Sequence, residues 1–487
     1  ILKKCIHSAD ASQFDFEETW KFRLAEDVDN FQPDLIGVTC LFTVTHPSLV
    51  TVCKEIASLT PHWRKPNSKI PLAVGGVHIT HDVEKILEDI PEAEFVFLHE
   101  AELSFLHFIE VANCKASPEK LSQLIINTPD KTLNFKARET PDAKSMDVIP
   151  AYELMEVAEN ALYGTLGSWY GFKDKGTPIA TVLANRGCRA ACTFCNVRTF
   201  NGVGVRHRSV ESVLDELTIL KNKYGVGHFI WLDDDLLHDE KRAIELFNGM
   251  AERNLDMTWD ATNGLIAHSC NEEVIAAAAK SGAIGVFLGV ETGNPEILKE
   301  IKKPGTVETF RKAAKVIKRY EEIHSRILLI IGFPGETLGK IFDTIDLVEE
   351  MDLDWCNIAI LQPWKSTPLY DKMVEQGLVG EEGTLKNSAQ EKKVAPYNLG
   401  PYSKQRALER GKLDLPPSIQ SVFDGLDVDA VPTPDDLDNI WFYMNYRVNF
   451  FKLFQETRKI KLDQQCKWLK YVHTLTAPDN ALVMYFY

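Results

Sequence analysis

The stretch Ala184-Asn185-Arg186-Gly187-Cys188-Arg189-Ala190-Ala191-Cys192-Thr193-Phe194-Cys195-Asn196 follows directly on an apolar run, Ile179 to Leu183. That run reads as a buried strand, so the three cysteines stand on a short loop at its C-terminal end. Three thiolates on one loop can hold three irons of a cubane cluster and leave the fourth iron open. An open iron binds a substrate or cofactor directly and passes it an electron. The competing reading is a zinc knuckle, which asks for a fourth ligand at close spacing. After Cys195 neither Cys nor His appears until His207.

Outward from this loop the chain alternates strand and helix at least six times. Strands are expected at Ile179–Leu183, His228–Leu232, Met257–Ala261, Ala283–Leu288, Ile327–Ile331 and Trp355–Leu361, with helices such as Val210–Lys223 and Val307–Glu321 between them. This succession predicts an open, partial (β/α)6 barrel, whose chemistry sits at the strand C-termini. Upstream, the runs Leu35–Leu41, Ile70–Val74 and Phe95–Leu98 are separated by helical patterns at Pro47–Ile56 and from His81 onward. Apolar strands alternating with amphipathic helices imply a parallel sheet covered on both faces, a doubly wound, Rossmann-like domain. The fold class is therefore α/β. The expected boundaries are 1–115 for the first domain, 116–175 for a linker, 176–375 for the barrel and 376–487 for a mainly helical region. In that last region the aromatic stretch Ile440 to Arg447 either packs the core or caps a pocket.

With 487 residues, 45% hydrophobic and 25% charged, the chain is globular and long enough for two or three domains. A net charge of −16 without a polybasic cluster argues against a general nucleic-acid or anionic-membrane binder. No run of about 20 apolar residues predicts a spanning helix. The first residues form no signal peptide and include no initiator Met, so the N-terminus is expected to be trimmed or partly unseen, and the first domain incomplete at that end. Ten scattered cysteines, three of them clustered, point to a reducing cytoplasm.

The C-x3-C-x2-C spacing, with an aromatic before the last Cys, resembles the radical S-adenosylmethionine (SAM) superfamily. The resemblance implies that Cys188, Cys192 and Cys195 ligate a [4Fe-4S] cluster whose open iron chelates SAM. It implies SAM-binding roles for Asp233-Asp234-Asp235, in place of the family's Gly-Gly-Glu, and for Glu291 within Gly289-Val290-Glu291-Thr292-Gly293. Which Asp faces the cofactor stays open. Backbone groups around Gly332-Phe333-Pro334-Gly335-Glu336-Thr337 would meet adenine, with Phe194 on its edge. Lys303-Pro304-Gly305-Thr306 and Ser366 to Tyr370 match recurrent family segments with less specific chemistry.

The pairing of a doubly wound domain with this barrel resembles the cobalamin-dependent radical SAM enzymes. Thr39 and Leu41, Gly75 and Gly76, and Glu100 lie at three strand ends and are the implied cobalamin contacts. The family's Gly-Glu-Gly-Glu is altered here to His99-Glu100-Ala101-Glu102. No Asp-x-His-x-x-Gly is present, so the lower cobalt face lacks a His from that motif, and His78 is the weaker candidate for it. The implied function is methylation of an unactivated carbon through methylcobalamin and a 5′-deoxyadenosyl radical. Oxidation, cyclisation, rearrangement or methylation of phosphorus are rival outcomes of the same cofactors, and a non-catalytic Fe–S or cobalamin sensor is a remote one. The implied partners are an electron donor such as flavodoxin or ferredoxin and a small-molecule, lipid, tetrapyrrole or peptide substrate.

Overall fold

The structure is a computed structural model and describes residues 15–65, 68–155, 157, 172–173, 176–379, 427–476 and 481–486. The chain divides into two compact units, Ile1–Asp142 and Ala143–Tyr487.

In the first unit β1 (Ile36–Thr39), β2 (Leu72–Gly75) and β3 (Phe95–Phe97) run parallel and side by side in chain order. Two further strands, β4 (Leu124–Asn127) and β5 (Thr132–Phe135), extend the sheet antiparallel beyond β3. The stretch from 116 onward that reads as a linker therefore contributes two strands to this sheet. Each is four residues long, and β5 buries none of its residues, so neither stands out against its polar flanks. Side chains alternate across the sheet as the pleat requires. Leu72, Val74 and Val96 join Leu49, Cys53 and Ile56 of the helix His46–Ser58 in one core. Ala73 and Phe97 join Leu121 and Leu124 in the other, with Phe108 and Val111 of the helix Glu102–Ala112 packed against it. Both faces are covered, which is why these strands read as unbroken apolar runs.

In the second unit six parallel strands follow one another in chain order: β6 (Ile179–Val182), β9 (His228–Trp231), β10 (Thr258–Leu265), β11 (Ala283–Glu291), β12 (His324–Ile331) and β13 (Trp355–Ile360). The end strands β6 and β13 do not pair with each other, so the barrel is partial. An antiparallel hairpin, β7 (Asn185–Cys188) and β8 (Gly204–His207), is inserted after β6. Most strand-to-helix turns end on a residue whose side chain takes a free backbone N–H of the following helix: Ser209, Asp239, Asn271, Asn294, Thr337 and Thr367 each do so. The core runs through Phe229, Trp259, Leu288, Ile327 and Leu329.

An open edge strand has unpaired backbone groups, and the C-terminal segment covers those of β13. The Asn449 side chain accepts from the Cys356 N–H at 2.7 Å and donates to the Cys356 carbonyl at 2.9 Å, as a neighbouring strand would. Trp441 Nε1 donates to the Ile358 carbonyl at 2.7 Å and Gln465 Nε2 to that of Asp354 at 2.8 Å. No helix among the described residues is long and apolar enough to cross a membrane.

Candidate cofactor site

The cysteine loop grows out of the β7–β8 hairpin, with Cys188 as the last residue of β7. Gly187 has a φ of +89°, and a Cβ there would stand 2.4 Å from the Gly204 carbonyl oxygen, so the hairpin requires glycine. Two outside bonds pin the loop: Thr193 donates its N–H to Ile301 at 2.9 Å, and its carbonyl accepts from Leu369 at 2.9 Å. A turn brings the Cys195 N–H to the Cys192 carbonyl at 3.2 Å. Burial pushes all three thiols up, Cys188 to about 11 and Cys192 to about 12. At neutral pH they become thiolates only when a metal supplies the balancing charge. Among the described residues no three His, Cys, Asp or Glu side chains converge on one metal ion. A cluster does not ask for convergence, because each cysteine takes its own iron.

The three aspartates after β9 separate into different tasks. Asp233 is buried and accepts from the N–H groups of Ala184 at 3.0 Å and Asn185 at 2.5 Å, tying β9 to the chain that enters the hairpin. Asp235 is buried and grips Arg189 of the cysteine loop, from Nε at 2.7 Å and from Nη2 at 2.9 Å. Asp234 alone is half-exposed; it accepts from Asn201 at 2.9 Å, and its charge acts on the Cys195 thiol. It is the carboxylate of the three that faces outward beside the cysteines.

Glu291 ends β11 with a φ of +67°, an uncommon conformation for a side-chain-bearing residue and one concentrated at functional sites. Its Oε1 accepts from Lys303 Nζ at 2.7 Å, both side chains being nearly buried. Burial lowers the Lys303 ammonium, but the charge of Glu291 beside it outweighs burial and raises Lys303 above its ordinary value. A Cβ on Gly289 would stand 2.8 Å from Lys303 Nζ, so this glycine makes the room for the pair. Lys303 lies in a segment that the sequence marks as recurrent in the family but without a role, while Arg189 and Asn201 carry no signal of their own; the importance of all three comes from contacts.

Phe194 packs in the cluster of Phe333, Ile297 and Leu361, its ring 6.1 Å from that of Phe333. Gly332 has a φ of +88°, and a Cβ there would press on Leu437 at 2.8 Å. Its N–H and that of Phe333 both go to Glu336 Oε2, at 2.5 and 3.2 Å, leaving carbonyls rather than amides for a ligand. Burial pushes the Glu336 carboxyl up to about 7 against those two bonds. An acid held above its unfolded value near 4.5 stabilises the fold most at low pH, and this contribution is lost as pH rises through about 7. Glu336→Gln keeps an acceptor and has no charge. Its stability relative to the parent is therefore expected to rise between pH 4.5 and 7 and level off above, read from urea midpoints. A difference that stays flat over that window would contradict the assignment.

The first unit brings its implied contacts to the C-terminal edge of β1 to β3. Thr39 is exposed at the end of β1, followed by Leu41 at 53% and Phe42 at 65% exposure. Gly75 ends β2. Gly76 has a φ of +120°, and a Cβ there would lie 2.4 Å from the Cys40 carbonyl oxygen, so its glycine serves a close approach within the protein. His78 is buried, with Nε2 3.0 Å from His46 Nδ1 and Nδ1 3.1 Å from Thr43 Oγ1. His46 Nε2 in turn donates to Asp89 at 2.8 Å, which sets the direction of the chain: Thr43 to His78 to His46 to Asp89. With both ring nitrogens engaged, His78 presents none to a cobalt ion. Glu100 is buried, and its carbonyl accepts from Gln123 at 2.9 Å. The exposed Leu41-Phe42 pair beside a small-residue loop suits a large, flat, partly apolar ligand such as a corrin.

Comparison with known proteins agrees with both domains. A family model of the Radical SAM superfamily matches residues 182–348, and one of the B12 binding domain matches residues 6–109. An uncharacterized methyltransferase of Pyrococcus horikoshii is 27% identical over 358 residues, covering 73% of this chain and 72% of that protein. The cytidylyl-2-hydroxyethylphosphonate methyltransferase of Streptomyces wedmorensis is 27% identical over 383 residues, covering 73% and 69%. Among solved structures, the radical SAM methyltransferase TsrM from Kitasatospora setae, with cobalamin and a [4Fe-4S] cluster bound, superposes with a TM-score of 0.58. It is 17% identical and the match covers 75% of this chain and 68% of that one, a likeness of fold.

Proposed function

The chain is a cobalamin-dependent radical SAM protein, its B12-binding domain followed by its radical SAM domain, and from that premise we propose that it is a methyltransferase acting on an unactivated carbon. The observation that carries the methyl-transfer reading is that two relatives sharing about 70% of their length with this chain are both named methyltransferases.

When bound, the three cofactors supply a reducible cluster, a source of methyl groups and of a hydrogen-abstracting radical, and a cobalt centre that carries methyl. The protein's own part is to hold and shield them. Cys188, Cys192 and Cys195 ligate the cluster on a loop that Arg189 and Asp235 keep in shape. Asp234, the outward carboxylate of its triplet, pairs with the SAM ammonium. Glu291 meets the ribose and methionine portion, with Lys303 fixing its charge and direction. Phe194 and the carbonyls around Gly332 enclose adenine. Thr39, Leu41, Gly75 and Glu100 line the cobalamin edge, Gly76 shapes it, and His78 supports it through Thr43.

The overall reaction balances as one R–H and two SAM plus two electrons giving R–CH3, S-adenosylhomocysteine, 5′-deoxyadenosine and methionine. The electrons come from a low-potential donor of the flavodoxin or ferredoxin kind. The two SAM molecules end as different products, so their fates test the reading. Formation of 5′-deoxyadenosine with a changed but unmethylated substrate would favour oxidation or cyclisation instead.

A further inference from the structure

The second unit contains a cavity of about 460 Å³ that runs from Phe194 and Glu291, beside the cysteine loop, along β13 to Trp355 and Trp468. Small-molecule sites commonly enclose roughly 300–1,000 Å³. The strand register explains the wall. Strands β12 and β13 pair Leu328 with Asn357 and Ile330 with Ala359, so these four side chains share one face. They are only half-buried or exposed, whereas Leu329, Ile331 and Ile358 point the other way into the core.

The cavity's chemistry is specific. Four tryptophans line it: Trp355, Trp364, Trp441 and Trp468. Glu291 is the one charged side chain among the described lining residues, and it is already paired with Lys303. The Arg326 guanidinium is fully buried and stacks against Trp468 at 3.7 Å. Trp441 Nε1 and Asn445 Nδ2 are hydrogen-bonded to protein carbonyls. By contrast Asn357 Oδ1, Trp468 Nε1 and Gln362 Nε2 are buried and make no hydrogen bond. Buried polar atoms nearly always have a partner, and in a cavity wall that partner is a ligand or a water that a ligand displaces.

We propose that the substrate presents an uncharged aromatic system of one or two fused rings, with a hydrogen-bonding edge read by Asn357 and Trp468. The proposal rests on the radical SAM reading, in which SAM held by Phe194 and Glu291 would fill the part of the cavity beside them and leave the remainder to the substrate. Flat indole walls favour a planar ligand through stacking. A charged ligand would lose its hydration among lining side chains whose one charge, Glu291, is already paired, so the site selects against it.

The test is calorimetric titration of the full chain, loaded with its cluster, by three probes. Oxindole is neutral and planar, with an N–H and a carbonyl on one edge. Indole-3-carboxylate keeps the fused ring system and adds a charge; hexan-1-ol is neutral without a ring. Oxindole is expected to bind saturably and at least about tenfold more tightly than either comparator. Asn357→Leu, similar in volume and lacking the amide, is expected to weaken oxindole about tenfold. Trp364→Ala, at the exposed rim, is expected to weaken it without touching the core. Equal binding of the three probes, or unchanged oxindole affinity in both variants, would overturn the proposal. Cleavage of SAM to 5′-deoxyadenosine, followed in the same protein without substrate, separates the two levels. Cleavage without oxindole binding overturns the substrate class and leaves the radical reading standing; absence of cleavage overturns both.

Discussion

Cys192→Ala is expected to reduce SAM cleavage to the level of the protein-free reaction. The cluster has three protein ligands and one open iron, so it has no ligand to spare. The charges of Lys303 and Glu291 both act on the Cys192 thiol, as they do on that of Cys195. The parent, reconstituted anaerobically, is expected to hold about four iron and four sulfide per chain. The variant should lose most of that iron while its thermal unfolding changes little, because the half-exposed loop adds little to the core. Reductive cleavage by Cys192→Ala at the parent's rate would sink the cluster assignment.

The largest effect on stability is expected far from the cofactors, at Lys461. Its ammonium is buried and donates to the Ile323 carbonyl and to Asp354 Oδ2, both at 2.8 Å. Asp354 Oδ2 also accepts from the Ser325 N–H at 2.7 Å and hydroxyl at 2.8 Å. Burial alone would push Asp354 up; His324 and Lys461 outweigh it and hold the carboxyl at about 2. Burial also pushes His324 well down, so at neutral pH the balancing charge is that of Lys461. Lys461→Met fills the space and leaves a buried carboxylate without its cation, at a cost of about 3–5 kcal/mol. The sign with pH follows. An acid with a depressed folded value contributes stability above its unfolded value near 3.8, and the contribution is lost as pH falls through about 2. The gap between parent and variant in denaturant unfolding should therefore be full at pH 7 and narrow below pH 4. A cost under about 1 kcal/mol at pH 7 would show that the pair does not anchor the helix Lys459–Tyr471.

These two sites differ in how far the sequence discloses them. The cysteine loop is local: three thiols within eight residues announce themselves by spacing, and the strand before them is an apolar run. Most of the barrel strands are legible for the same reason, being short runs of buried, largely apolar residues. The hairpin that carries Cys188 is not, because Asn185-Arg186-Gly187-Cys188 has no apolar pattern and its partner strand lies beyond the loop. The aspartate triplet is legible as a charged strand end, but not its division of labour. Asp233 is distinguished from Asp234 only by bonds to Ala184 and Asn185, 49 and 48 residues away. Gly76 is legible as a glycine that backbone geometry demands, while the carbonyl it approaches is that of Cys40. Lys461 is hidden altogether, since a lysine in an amphipathic helix reads as solvated until Asp354 is found 107 residues earlier.

The most direct test of the central claim is the fate of SAM during turnover. Protein loaded with cluster and cobalamin, supplied with a low-potential reductant, a substrate and SAM labelled in its methyl group, is quenched at intervals for product analysis. The account predicts S-adenosylhomocysteine and 5′-deoxyadenosine in equal amounts, with the label in the substrate product and one methyl gained for each pair formed. Protein stripped of cobalamin should still make 5′-deoxyadenosine and should make no S-adenosylhomocysteine. Formation of 5′-deoxyadenosine alone by the fully loaded protein, with an altered product that carries no label, would contradict the methyltransferase account.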